Sequence, residues 1–548
     1  MEKNGMKYYE EYIPKNLSVY EYLVEECRQY DNLDALGFYG KTFSYNQMFE
    51  EINKIAAALK ANGIKKDDVI AASLPGCPEG IFLIYAINKI GAIYCAFDCR
   101  SKKAEIEETL NTFKPKLCFV PSFQIKEFQE VYEYPIVCIN ITHSLNNFVN
   151  YAFCLADFIK GRTLMRAKHK NIITYDDFIK KAHSETVPIE KSSGNIFGYF
   201  YTSGTTYGRK SIILTNENIN AATYQQRIGN PRIKKGDVTL NIMPLFTCYS
   251  VVLAVNVPLV SGVQVEIVPL LNPKKLKKVI IRKKPNFLVT VPAHWEHFVT
   301  ENFEGCDLSF VKAVAIGGDV MNIRTKTRLN EIFKACGNSN TLVIGYGLSE
   351  TTSTATTGMN NAPENSVGYP FINTLIKIFD PDTQEQLEPY KAGEICICGP
   401  TVCVGYYNDA ETTKRLLKKH DDGKVWLHSG DRGYMDGDGA IYFCERFKRM
   451  YVRFDGTKVS PYAIEQTIYR CPEVEGCIIV CIDDPKHLHG KCGKALIVLK
   501  KSSNQKRAKN MVKKFINSEL DEHLVPEEIV FVNSLPYTKN GKIDFFGV

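Results

Sequence analysis

Apolar residues along the chain recur in two spacings that alternate. Short strand-like runs, as over 68–74, give way to stretches where apolar residues return every three or four positions, as over 80–90. This alternation predicts α/β layering, with helices packing back on sheets. Over 274–284, Leu276, Val279 and Ile280 fall on one helical face, seven Lys and Arg residues lie on the rest, and Pro285 ends the helix before a strand predicted over 286–291. The basic face reads as solvated or as a docking patch for acidic lipid or an acidic carrier protein. The stretch 238–265 has no charged residue and is long enough for a membrane span. Pro244, Pro258 and the polar residues spread through it favour a buried helix, placed over 249–259, followed by a buried strand.

Past residue 445 the texture changes: a basic run, the turn Asp455-Gly456, then a shorter α/β pattern to the end. The 548 residues exceed what one core usually supports. The expected division is a large N-terminal domain over 1–445 and a small C-terminal domain over 446–548, with a hinge near Lys448. A net charge of +7 with no aromatic-interleaved basic stripe excludes nucleic acid as a partner. The 18 cysteines are scattered without C-x-x-C spacing, as suits reduced thiols inside a cell. No apolar signal core opens the chain, so the expected location is cytoplasmic. His487, His489 and Cys492 lack a fourth ligand at metal-site spacing and read as a loop.

Four stretches carry candidate chemistry. Tyr201-Thr-Ser-Gly-Thr-Thr-Tyr-Gly-Arg-Lys210 gathers hydroxyls and glycines before a lysine, just after a strand-like run over 196–200. Glycines admit close approach of an anion, hydroxyls and main-chain N–H groups donate, and the lysine adds a point charge. It is a cradle for phosphates or a surface loop, and its order is not that of a P-loop. Gly345-Tyr-Gly-Leu-Ser-Glu-Thr-Thr352 follows a strand-like run over 341–344. Its Glu350 suits a hard cation such as Mg²⁺, or else meets a helix dipole behind a Ser349 cap. His428-Ser-Gly-Asp431 offers a carboxylate on a tight turn, suited to two ribose hydroxyls. Leu535-Pro-Tyr-Thr-Lys-Asn-Gly-Lys542 presents a lysine near the C-terminus.

Taken in this order, with Phe43-Ser-Tyr45, Gly393-Glu-Ile-Cys-Ile-Cys-Gly-Pro400, Gly405-Tyr-Tyr-Asn408 and Asp455-Gly-Thr-Lys-Val-Ser-Pro461, the stretches resemble the adenylate-forming superfamily: acyl-CoA synthetases, peptide-synthetase adenylation domains and firefly-type luciferases. The resemblance implies a large N-terminal domain of layered sheets and helices with a small mobile α+β C-terminal domain. It implies that ATP and a carboxylic acid give an acyl-adenylate and pyrophosphate, after which a thiol displaces AMP. That thiol is CoA or, alternatively, the phosphopantetheine of a carrier protein. By the same resemblance Thr202, Ser203, Gly204, Thr205, Thr206 and Lys210 grip the β- and γ-phosphates, and Gly317, Gly318 and Asp319 lie against adenine. Tyr346, beside Gly347, stacks on adenine, Thr351 contacts the α-phosphate, and Glu350 holds Mg²⁺. Asp431 and Arg446 bind the ribose, and Lys542 steadies charge at the adenylation transition state. Lys448 is the pivot that turns the small domain between the two steps, bringing Gly456 and Lys458 to the substrate in the second.

The family loop T-S-G-T-T-G-x-P-K-G is altered here by Tyr207, Arg209 and Ser211, which opens the reading of a degenerate nucleotide-binding protein. Thr247 stands where acyl-CoA synthetases carry histidine near the thiol entrance, and Cys398 replaces a common arginine. Phe246, Thr247, Tyr249 and Ser250 are the expected substrate-pocket residues. The aspartate that pairs an α-ammonium in amino-acid-activating relatives is missing among them, so a fatty or aryl acid without an α-amino group is expected. Apolar residues at helical spacing over 145–159, followed by Lys160, Arg162, Arg166, Lys168 and Lys170, read as a helix packed on the main domain or as an amphipathic helix lying at the inner membrane face.

Overall fold

A computed structural model describes residues 12–129, 135–145, 171–182, 187–192, 194–202, 210–269, 271–338, 342–358, 362–487, 489–500, 504–537 and 543–545, together with the backbone strands Glu2–Lys3 and Met6–Lys7. One sheet runs Gly405–Tyr406, Ser211–Thr215, Ile196–Tyr201, Ile93–Ala96, Val69–Ala72, Leu117–Pro121, Ile136–Ile139, Ile172–Thr174. From Ile196–Tyr201 onward its strands are parallel, and the first two join antiparallel at the edge. A second sheet runs Leu342–Ile344, Ala313–Ile316, Phe287–Thr290, Val238–Asn241, Gln264–Ile267, Asp34–Phe38, all parallel, with Lys41–Ser44 antiparallel at its edge. Continuous apolar strands of this kind are stable only with both faces covered.

The helix Pro78–Lys89 shows how the two sheets join. Every one of its residues is buried, and the core around it runs from Tyr94 and Phe200 of one sheet to Leu36 and Val265 of the other. A helix enclosed on all sides needs no polar stripe, which is why its sequence is apolar almost all round. Gly198 belongs to the same logic of close approach. A Cβ there would stand 2.4 Å from the Tyr94 carbonyl oxygen of the neighbouring parallel strand, so glycine lets the strand Ile196–Tyr201 deliver Thr202 to the sheet end.

The uncharged stretch is the helix followed by a strand that its polar residues favoured. Between the parallel strands Val238–Asn241 and Gln264–Ile267 lie a π-helical turn, Ser250–Asn256, and the helix Val257–Val260. No helix among the described residues is long and apolar enough to cross a membrane. The basic segment forms the helix Leu276–Lys283, closed by Lys284 at φ 46° before Pro285. Lys283 leaves the solvated face to pair with Glu266.

A third, antiparallel sheet holds Leu375–Phe379, Gly393–Cys398, Val425–Met435 and Leu417–Lys419, with Ile441–Arg446 paired to Val425–Met435. Beyond it a small α+β lobe is built from Val474–Asp483, Lys491–Leu499 and Glu528–Val532 under the helices Pro461–Tyr469 and Gln505–Glu519. That lobe has its own apolar core, from Tyr451 and Val459 to Ile516 and Leu520. The α/β class and the large-plus-small arrangement read from the sequence hold.

Near the Pro78–Lys89 helix, buried Glu79 faces His143, whose Nδ1 lies 3.5 Å from Glu79 Oε1 and whose Nε2 lies 2.9 Å from Asp176 Oδ1. The hydrogen bond to Glu79 raises the imidazole from 6.5 to about 9, with burial opposing and Asp176 assisting. A group raised on folding contributes stability that is complete below its unfolded value and is lost as pH rises through the folded one. The urea midpoint of the wild type is therefore expected to fall between pH 6.5 and 9, and in His143→Gln that component of the pH dependence disappears.

Candidate functional site

The parallel strands of the second sheet end at one edge. Ala313–Ile316 runs into Gly317-Gly318-Asp319, and Leu342–Ile344 into Gly345-Tyr346-Gly347. Gly318 sits at φ 84°. A Cβ on Gly347 would lie 2.3 Å from the Ser353 carbonyl oxygen, because the chain doubles back there: Ala355 N–H donates to the Tyr346 carbonyl at 2.7 Å. Within that fold-back Thr352 holds φ at 65° while its hydroxyl donates to the Thr401 carbonyl at 2.6 Å. A β-branched residue at positive φ is strained, and such strain persists only where surrounding bonds over-determine it. Thr351 is fully buried, its Oγ1 accepting from Leu348 N–H at 2.9 Å. Ser349 therefore caps no helix: residues Ser349–Thr351 form one short turn, and Glu350 is free for other use.

Tyr346 crosses from this edge to the third sheet. Its hydroxyl donates to Asp431 Oδ2 at 2.8 Å, and its ring centroid lies 5.9 Å from that of Phe443. Asp431, 1% exposed, is the cross-strand partner of Arg446, whose Nε stands 3.2 Å from Oδ1. That approach is out of line for a hydrogen bond, and among the described residues Oδ1 is a buried acceptor without a donor. Burial pushes the Asp431 carboxyl up, with Arg446 and Tyr346 opposing. The turn carrying it is fixed from below. Glu394 accepts Gly430 N–H at 2.9 Å on Oε1 and meets His428 Nδ1 at 2.8 Å on Oε2, while Ser429 donates to the Ile395 carbonyl at 2.6 Å.

A third element closes the arrangement. Tyr406 donates its hydroxyl to Glu350 Oε1 at 2.6 Å, and Lys210 Nζ lies 5.2 Å from the centroid of the same ring. Lys210 also donates to Thr412 at 3.1 Å, and its carbonyl accepts Thr202 N–H at 2.9 Å, which ties the two ends of the Ser/Thr loop. Strand pairing of Gly405–Tyr406 with Ser211–Thr215 makes this possible. A cation, a carboxylate, an orphaned buried carboxylate oxygen and a glycine-lined strand edge thus face one region, and these are groups of the kinds that hold phosphates, a hard cation and hydroxyls.

The model of the AMP-binding enzyme family matches residues 23–407, and that of the AMP-binding enzyme C-terminal domain matches 463–542. The chain belongs to the AMP-binding enzyme family. A long-chain-fatty-acid–CoA ligase of Bacillus subtilis (strain 168) is 26% identical over 538 residues, 96% of this chain and 93% of that protein. A 4-coumarate–CoA ligase of Vanilla planifolia is 26% identical over 554 residues, 97% and 93% of the two chains. Among solved structures, the anthranilate CoA ligase AuaEII in complex with anthranoyl-AMP superposes with a TM-score of 0.82 at 19% identity, over 97% of this chain and 96% of that one. The O-succinylbenzoate CoA synthetase of Bacillus subtilis in complex with AMP gives 0.75 at 20%, over 95% and 96%. The superfamily inferred from the motifs is the one found, and this AMP-binding enzyme is an ATP-dependent acid–thiol ligase.

The structure gathers Thr202, Lys210, Tyr346, Gly347, Glu350, Thr351, Asp431 and Arg446 around one region, and Gly317 to Asp319 line its edge. Ser203, Gly204, Thr205, Thr206 and Lys542 lie outside the described residues, as does 146–170. Ile543, next to Lys542, donates its N–H to Asp319 Oδ2 at 3.1 Å. Lys448 is exposed in the turn Phe447–Arg449. Gly456 stands on an exposed turn of the small lobe and Lys458 is exposed at the start of the strand Lys458–Val459.

Of the expected pocket residues, Tyr249 stands closest to the chemistry. Its ring would be 3.4 Å from a Cβ on Gly317, and its hydroxyl donates to the Thr290 carbonyl at 3.3 Å. Thr247 Oγ1 accepts Ser250 N–H at 3.2 Å and donates to the Pro244 carbonyl at 3.1 Å, so this hydroxyl starts the π-helical turn. The Phe246 ring faces Arg100 at 5.9 Å. An apolar cavity of about 60 Å³ opens one turn further along, lined by Leu253, Val257, Val289, Ala315 and Phe371 with Gln226 at its wall. Tyr406, Glu394 and His428 fall within the sequence motifs, yet no role for them is legible there; their partners lie 34 to 56 residues away, beyond any local periodicity.

Because Asp431 Oδ1 is an acceptor without a donor, Asp431→Asn is expected to raise the KM for ATP about tenfold or more, the scale of a charged hydrogen bond. The raised carboxyl protonates above the ordinary value of 3.8 as pH falls. An acidic decline of kcat/KM for ATP is therefore expected in the wild type and is expected to be absent in the variant.

Proposed function

We propose that this enzyme activates a fatty or aryl carboxylic acid lacking an α-amino group and passes the acyl group to the thiol of CoA. The observation that carries the nucleotide half of the reading is the orphaned Asp431 Oδ1, which two ribose hydroxyls would satisfy. The acid half rests on the cavity beyond Tyr249, whose lining among the described residues holds no carboxylate. A substrate ammonium there would be buried without a partner, and that is costly.

The residues divide the work. Tyr346 and the segment Gly317 to Asp319 receive the base, and Asp431 and Arg446 the ribose. Thr202 to Lys210 receive the β- and γ-phosphates, and Thr351 the α-phosphate. A substrate carboxylate oxygen attacks the α-phosphorus, the bond to the pyrophosphate oxygen breaks, and Lys542 steadies the negative charge gathering on these oxygens. In the second step a CoA sulfur, having lost its proton, attacks the acyl carbon and AMP leaves with the bonding electrons. Glu350 fits Mg²⁺ as a hard oxygen donor: among the described residues only Tyr406 bonds its carboxylate. When bound, the ion would offset charge on the leaving pyrophosphate.

We assign the boundary between the domains to 445/446, with Lys448 as pivot and Gly456 and Lys458 serving the second step. A cytoplasmic location is part of the proposal. So is contact of 144–170 with an anionic membrane, which rests on the basic amphipathic pattern alone. Flotation with vesicles of anionic lipid at low salt is expected to carry protein upward, and protein that stays wholly unbound rejects that contact.

A pyrophosphate-exchange screen over carboxylic acids of graded length and ring content tests the central reading. Exchange is expected with fatty or aryl acids, and Lys542→Ala is expected to slow it about a hundredfold, the scale of losing one oxyanion stabiliser. Exchange with an α-amino acid far above these acids overturns the substrate class. Faster thioester formation on a holo carrier protein than on CoA overturns the acceptor.

A further inference from the structure

The segment leaving the nucleotide edge, from Gly317 through the start of the helix Ile323–Ala335, grips the small lobe at two points. At one point Asp319 Oδ2 accepts the N–H of Ile543 at 3.1 Å. At the other, Arg324, the second residue of its helix, reaches across to the end of the helix Pro461–Tyr469. Its guanidinium donates to the carbonyls of Tyr469 and Val474, and to that of Cys471 at 2.6 Å. Carbonyls at a helix C-terminus lack intrahelical donors and form the negative end of its dipole. A planar cation with several donors in a fixed fork meets that need from the other lobe. Among the described residues no apolar core cluster is shared between the two lobes, and polar contacts of this sort join them.

We propose that Arg324 is a positioning residue for adenylate formation. By gathering the three carbonyls it sets the small lobe against the segment that carries Asp319, and so holds Ile543 of the tail on that segment. Arg324 itself touches no substrate. The inference rests on the ligase reading above, and it separates the two half-reactions, because Lys542 serves the first and not the second.

The test uses the full-length enzyme and the best acid of the exchange screen. Arg324→Ala is expected to lower the rate of pyrophosphate exchange about tenfold or more, the scale of a charge-assisted hydrogen bond. Thioester formation from the chemically prepared acyl-adenylate and CoA is expected to stay within about twofold of wild type. Arg324→Lys keeps the charge but loses the fork, and is expected to recover part of the exchange rate. Exchange at the wild-type rate in Arg324→Ala, or an equal fall in both half-reactions, overturns the clasp while the ligase reading stands. A wild type that performs neither half-reaction overturns both. Should Arg324→Ala give no soluble protein, Arg324→Gln, which keeps the length and some donors, takes its place: a fall confined to exchange supports the clasp, and no fall or an equal fall overturns it.

Discussion

Placing a carboxylate where almost no solvent reaches it is unfavourable unless charge and donors are arranged around it in advance. Asp431 is such a group, and the molecule converges on it. Tyr346 arrives from the end of a parallel strand of the second sheet, and Arg446 is the last residue of the strand beside it in the third. Removing either neighbour would leave the carboxylate less supported in the same low-dielectric surroundings. The position of Asp431 therefore couples two sheets and the start of the small lobe, since Arg446 immediately precedes the turn Phe447–Arg449.

The turn beneath it is held by Glu394 and His428. Glu394 is drawn in two directions, with burial raising its carboxyl and the His428 and Gly430 donors lowering it, and the donors prevail. His428 in turn has His420 at 2.9 Å from its Nε2. Glu394, Cys396 and His428 lie close enough to hold a metal ion. Their mutual bonds instead already account for the carboxylate and one imidazole nitrogen, and they give Gly430, at φ 70°, its fixed place. A carboxylate that orients the turn behind a ligand-facing residue is a recurring way of holding such a group in register.

Much of this was legible in the sequence where function is local. The Ser/Thr/Gly loop, the Tyr346 to Glu350 turn and the Asp431 turn each follow a strand or sit within one, and their residue types state their chemistry. The helix-then-strand reading of 238–265 also held, because Pro258 and the polar residues are incompatible with lipid on all sides. Its π-helical turn was not legible, since the wider spacing depends on Ser250 donating back to the Met243 carbonyl. Apolar residues of the 249–259 stretch, Leu253 and Val257, line a cavity, while Thr247 and Ser250 give their hydroxyls to local carbonyls, a use that the sequence does not show. Tyr406 escaped assignment because its meaning lies in a strand pairing with Ser211–Thr215 that only the tertiary fold creates.

The junction between lobes completes the logic. An apolar interface of domain-core quality would fix the small lobe against the large one and resist any change in their relation. Here the ties include a guanidinium on helix-end carbonyls, one backbone N–H on Asp319 and the Tyr537 hydroxyl on Glu296. Each is worth no more than a charged hydrogen bond in partly wet surroundings. Contacts of that size are small enough for a ligand with differential affinity to outweigh, and a ligand shifts an equilibrium only by that differential affinity. Asp319 follows the strand Ala313–Ile316 and also bonds the tail, so whatever draws on this carboxylate at the strand edge bears on the placement of the tail as well. A lobe held by such contacts, with no shared apolar core behind them, is one whose placing a ligand at that edge has the energy to change.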